Sequence, residues 1–115
     1  MRTTLKRVLG GVALLILAGC TTVPPVSEIP QSIADAKTAA DHLLIADYFA
    51  QKAASYEAEA KLHEKMDQSY RGRPRYASSA SMSSHCRELE KQFYAAAREA
   101  KALEQAHRDL GASIK

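Results

Sequence analysis

The segment AADHLLIADYFAQKAASYEAEAKLH (residues 39–63) decides the fold. It contains neither Gly nor Pro, and eight of its residues are alanine, the strongest helix former. Read at a spacing of seven, Ala39, Ala46, Ala53 and Ala60 form one row, and His42, Phe49, Tyr56 and His63 form a second. The two rows alternate in steps of three and four, which places them on one face of a helix as a heptad seam. Small residues on one row and large ones on the other suit packing against a second helix.

Outward from this segment, no Gly or Pro interrupts Ile33 to Gln68, so a helix is predicted over about residues 33–68. Pro30 blocks an earlier start, and Ser32 with Asp35 fits a capping pair. Glu57 and Lys61 form an i,i+4 pair in the favourable order. Gly72 and Pro74 break the helix, and the Ser-rich stretch that follows shows no apolar periodicity, so residues 69–82 read as a loop. A second helix is predicted over residues 84–110, with Ser83 or Ser84 as N-cap, Glu88 and Glu90 near its positive end, and Gly111 as the stop. Glu104 and Arg108 are a further i,i+4 pair. Its seam reads as Cys86, Phe93, Ala100 and His107 beside Leu89, Ala96, Leu103 and Leu110. Nothing alternates with period two over a useful length. The fold class is therefore all-α: an antiparallel two-helix hairpin with a heptad seam.

Folding the chain back at the loop pairs positions whose numbers sum to 149: His42 with His107, Phe49 with Ala100, Tyr56 with Phe93, and His63 with Cys86. Polar residues then share two levels. His42 and His107 meet near the start of the hairpin. His63 and Cys86 meet near the loop, with Met66 and His85 close by. A histidine in a helical seam is most often a hydrogen-bonded interface residue, and a buried cysteine a small hydrophobe. The alternative for His63, Met66, His85 and Cys86 is a soft-metal site. Thiolate, thioether and imidazole together favour copper, or zinc if the thioether takes no part. His85 and Cys86 are adjacent and diverge by about 100° around the helix, which counts against all four binding one ion.

The N-terminus carries a positive region of Arg2, Lys6 and Arg7, then an apolar run from Val8 to Leu17. That run is about ten residues, half the roughly 20 needed to cross a bilayer as a helix. It ends in Leu17-Ala18-Gly19-Cys20. This stretch resembles the lipobox of bacterial lipoprotein signal peptides. The resemblance implies cleavage of residues 1–19 and a diacylglyceryl thioether on Cys20, usually with a further acyl chain such as palmitate on its amino group. It also implies an envelope location, the outer membrane facing the periplasm in a Gram-negative cell, because Thr21 rather than Asp follows the cysteine. Residues 20–31, with Pro24, Pro25 and Pro30, then form an extended tether.

The full chain has 16 basic and 13 acidic residues. Three of the basic residues lie in the signal, so the mature chain carries 13 of each sign, and the basic balance argues for no nucleic-acid partner. With Cys20 lipidated, Cys86 stands alone in an oxidising compartment as a free thiol, a metal ligand or half of an intermolecular disulfide. Arg71, Arg73 and Arg75, flanked by Tyr70 and Tyr76, form a basic loop whose simplest role is solvation. No nucleophile triad, phosphate loop or paired glycosidase carboxylates are present, so no enzyme is expected. A two-helix core of this size is marginal. Leu43, Leu44, Ile45, Ala50 and Leu62, with Tyr94 and Ala97, offer a second face on which two hairpins dimerise into a four-helix bundle or dock an envelope protein. The expected role is a lipid-anchored, non-enzymatic interaction or structural module. A copper- or zinc-binding lipoprotein is the alternative.

Overall fold

The computed structural model describes residues 28–73 and 78–115. The expected lipobox with Cys20, the part of the expected tether before Glu28, and Arg75 and Tyr76 of the basic loop lie outside these residues. Three helices follow one another: α1 (Ile29–Asp35), α2 (Ala39–Arg71) and α3 (Ser79–Ser113). At 1.5 Å per residue α2 and α3 are each about 50 Å long. They pack along their length as a hairpin, and α1 packs only on α2. Among the described residues there is no strand, and no helix is long and apolar enough to cross a membrane.

The helix ends differ from the sequence expectation, each for a local reason. Pro30 does not stop the chain but sits in the first turn of α1, where its missing N–H has no intrahelical partner to lose. Ser32 donates to the Glu28 carbonyl (2.9 Å) and Asp35 accepts from Gln31 (2.7 Å), so these two form no capping pair. The real cap is Thr38 with Asp41. The Asp41 N–H donates to Thr38 Oγ1 (3.1 Å), and the Asp41 carboxylate accepts from the N–H groups of Thr38 (2.8 Å) and Lys37 (3.0 Å). That reciprocal capping box takes the backbone donors out of any continuous helix and separates α1 from α2. Near the hairpin turn, α2 continues to Arg71 and α3 begins at Ser79, so the connection is shorter than the predicted residues 69–82. At the far end Gly111 is not a stop. The helix runs on to Ser113.

The seam itself carries the main correction. On α2 the alanine row is buried as its spacing requires: Ala46, Ala53 and Ala60 are fully covered. On α3 the row of Cys86 and Ala100 is buried, with Ser79 one heptad earlier. Its companion, however, is Ser83, Ala97 and Gly111 rather than the leucine row. Both choices obey the alternation of three and four, and they differ by a rotation of α3 of about 50°. The helix turns its small side to the alanines, because only small residues on both sides let the backbones approach closely. At Gly111 a Cβ would stand 3.2 Å from the Ala39 carbonyl oxygen and 3.5 Å from His42 Cβ. Leu89, Leu103 and Leu110, with Met82 one heptad before them, are left 38–48 % exposed. Leu43, Leu44 and Leu62 of α2 are also exposed, whereas Ile45 and Ala97, expected beside them on a second face, are buried.

Charges flank the seam. Arg108 bridges Glu104 (2.9 Å) on its own helix and Asp47 (3.1 Å) on α2. Glu57 turns away from an exclusive pairing with Lys61 and meets Lys101 across the interface. These pairs are partly exposed and contribute little stability, but they favour one rotation of α3 over the other.

Close approach at the alanine row sets a direct expectation. Ala53→Leu overpacks the interface and lowers unfolding stability by about 1–3 kcal/mol, whereas Leu62→Gln on the exposed side changes it by no more than about 0.5 kcal/mol. Gly111→Val falls with Ala53→Leu. Denaturant unfolding followed by circular dichroism measures all three.

Candidate functional site

Polar side chains gather at the two ends of the seam. At the end nearest α1, the capping box fixes the first turn of α2 and so places His42, while the close approach at Gly111 brings the last turns of α3 alongside. His42 Nδ1 and His107 Nδ1 stand 3.1 Å apart, half-buried, with ring centroids 5.3 Å apart. Phe49 stacks on the His107 ring, with centroids 6.0 Å apart and planes inclined by 17°. The contact is a hydrogen bond when one Nδ1 carries the proton and the other offers its lone pair. A second proton would place two cations in contact. Burial first, and the neighbouring His42 second, hold the His107 pKa below the ordinary histidine value.

At the loop end the alanine row continues, one heptad after Ala60, into Asp67. This carboxylate is almost wholly buried. It accepts from Ser83 of α3 and from Arg71 one turn along α2. The Ser83 hydrogen bond first, then Arg71, keep its pKa below the usual carboxylate value against the opposing effect of burial. A buried charge so paired is strongly destabilising to break, because removing one partner strands the other. Sequence reading assigned Ser83 to a cap and passed over Asp67. The available signal was its position, seven residues after Ala60 in a row otherwise made of alanine.

The residues expected to form a metal site are not brought together as four. Cys86 is a buried free thiol in the seam. His63 stacks on Phe93 (5.5 Å, 11°), and its Nδ1 is buried without a hydrogen-bond partner. Met66 lines a separate groove with Lys65, Tyr70 and Arg73, and His85 is exposed. Among the described residues no three His, Cys, Asp or Glu side chains converge as a metal-holding group. Of the expected pairs, His42 with His107 is in contact, and the rings of Tyr56 and Phe93 lie 6.3 Å apart.

Between the polar ends lies a groove. Phe49 and Tyr56 of α2 and Ala96 and Leu103 of α3 line it, with Lys52 and Glu99 at its edges. Its volume of about 270 Å³ is below that of pockets that enclose a drug-sized ligand, and suits apolar side chains from a partner surface. The exposed leucine row of α3 extends this groove into a long apolar face. Comparison of the chain with protein-family models, with curated proteins and with solved structures found no match.

The two titrating ends predict two steps in stability with pH. A depressed His107 pKa means that the unfolded chain binds its proton more readily. Stability is full above about pH 6.5 and falls as pH drops from there toward the lower folded value. The Asp67 contribution is present above about pH 4 and is lost as pH falls through its depressed folded pKa. In buffer with a chelator, His107→Gln should flatten the first step alone and Asp67→Asn the second alone. Melting temperature against pH reads both.

Proposed function

We propose that the chain is a lipid-anchored envelope lipoprotein whose hairpin is a non-enzymatic interaction module, completed by a second copy of itself as a four-helix bundle. The observation that carries the interaction role is the division of labour on α3. Its small residues fill the seam, and Met82, Leu89, Leu103 and Leu110 form an exposed row at heptad spacing. A helix with two packing faces is built for two neighbours, one of which lies in its own chain. Each of these leucines is already partly covered. Burying the remainder contributes about 1 kcal/mol per residue, so a few copies of the contact on each side sustain a dimer.

Charge supports a second copy as the neighbour. The chain after the lipobox carries equal numbers of acidic and basic residues, which sets up no repulsion between copies. The groove offers Lys52 and Glu99 together, so a copy related by a two-fold axis presents each with its opposite. Anchoring rests on Leu17-Ala18-Gly19-Cys20 and the short apolar run before it. Two or more acyl chains on Cys20 hold the protein at the membrane without a spanning helix.

Both halves of the proposal are open to measurement in cells. Metabolic labelling with radioactive palmitate should mark the chain, and Cys20→Ala should lose the label and leave the membrane fraction. In a Cys86→Ser background, Leu103→Cys should form a disulfide-linked dimer under mild oxidation, whereas Ala58→Cys on the outer side of α2 should not. Equal cross-linking at both positions, or none at Leu103, argues against the dimer face.

A further inference from the structure

We infer that the tip of the hairpin holds a binding site for a phosphate group, in the cleft between the end of α2 and the start of α3, with Arg71 and Arg87 as its cationic walls. The site needs neither the dimer nor the lipid anchor.

Two stripes at helical spacing meet at this end. Asp67 and Arg71 are four apart on α2, and Ser79, Ser83 and Arg87 follow one another at the same interval on α3. Tyr70, Arg71, Ser79, Ala80, Ser83 and Arg87 line a cleft of about 320 Å³. Behind its wall lies the buried Asp67, which accepts from Ser83 and from Nη2 of Arg71. That carboxylate holds the Arg71 guanidinium at one edge, yet the Arg71 side chain stays 58 % exposed. A guanidinium carries five N–H donors in a planar fork, so an arginine fixed by Asp67 keeps donors for a ligand. Arg87 is exposed and forms no ion pair among the described residues. One carboxylate among two guanidiniums leaves the cleft positive.

The surroundings add to that charge. Residues 64–87 carry five basic and two acidic side chains, whereas residues 28–50 and 98–115, at the opposite end, carry five basic and seven acidic ones. The neutral total of the chain after the lipobox therefore hides a hairpin that is positive at its tip and negative at its base. Lys65 and Arg73 line the adjoining groove, which shares Tyr70 with the cleft. Helix α3 starts without a side-chain cap and with no acid in its first turn, so no carboxylate there offsets its positive pole. These charges draw an anion toward the tip, and the two arginines give it a seat.

The arrangement favours phosphate over carboxylate. A planar carboxylate is satisfied by a single arginine fork. A tetrahedral phosphate presents oxygens in several directions and carries more charge, which suits cationic donors arriving from two helices.

The full chain in non-ionic detergent is titrated with inorganic phosphate, and arginine Nε–H and backbone amide signals are followed by nuclear magnetic resonance. Saturable shifts are expected at Arg71, at Arg87 and in the first turn of α3, with acetate at equal ionic strength about tenfold weaker. Arg87→Gln removes an exposed, unpaired side chain and should lower phosphate affinity about 10–100-fold, the loss of hydrogen bonds to a charged group. Arg71→Lys keeps a cation for Asp67 but loses the fork, and should lower affinity about tenfold. Lys91→Gln, one turn beyond Arg87, should change it by no more than about twofold. If circular dichroism shows that Arg71→Lys loses helix, Arg87→Gln decides alone. Glycerol 3-phosphate in solution and phosphatidic acid doped into the micelles then distinguish the carrier. Arg87-dependent binding of phosphatidic acid alone identifies a lipid headgroup, and binding of glycerol 3-phosphate identifies a soluble phosphate; both agree with the site. No saturable phosphate shift, acetate bound as tightly as phosphate, or equal losses for Lys91→Gln and Arg87→Gln overturns it.

Discussion

The close approach of α2 and α3 along the alanine row is the constraint on which the rest depends. A row of Ala46, Ala53 and Ala60 brings little hydrophobic area of its own. What it offers is proximity, and proximity is realised only if α3 presents Ser83, Ala97 and Gly111 in return. Once that face is chosen, the leucines of α3 have no place inside the hairpin. The apolar surface they form is a consequence of how the seam packs.

The same constraint places the polar groups. At one end the helices come near enough for two imidazoles to touch, with a glycine where any side chain would intrude. At the other, a carboxylate takes the place of an alanine and is satisfied by a serine from the facing helix and an arginine from its own. Neither group adds much to the gross driving force for folding. Each penalises a slipped or rotated arrangement, because a displaced register strands a buried charge or removes a histidine from its partner. A seam of interchangeable alanines specifies register weakly, and these two polar levels supply what it lacks.

Much of this was legible in the sequence. The heptad rows of α2, the hairpin and the level shared by His42 and His107 follow from spacing alone. The rotation of α3 was not legible in the same way. Cys86, Phe93, Ala100 and His107 are flanked at +3 by Leu89, Ala96, Leu103 and Leu110 and at +4 by Glu90, Ala97, Glu104 and Gly111, and hydrophobicity favours the +3 row. The deciding quantity is the distance between backbones, which a one-dimensional pattern does not contain. The α1–α2 break was written in Thr38-Ala39-Ala40-Asp41, a capping box hidden within an alanine-rich run. Among the described residues no three His, Cys, Asp or Glu side chains converge around His63 and Cys86, and His85 and Cys86 diverge because neighbours in sequence do so around a helix. That divergence was visible in the numbering. Asp67 breaks the residue type of its row while keeping the spacing, so an apolar pattern does not pick it out.

The central claim is that α3 meets α2 through its small residues and keeps its leucines outside. Proton–proton contacts measured by nuclear Overhauser spectroscopy on the full chain in detergent test it most directly. The account predicts strong contacts from the Gly111 α-protons to Ala39 and His42, and none from the methyls of Leu103 or Leu110 to those of Ala46 or Ala53. Leucine methyls in contact with that alanine row, with Gly111 remote from His42, would contradict it.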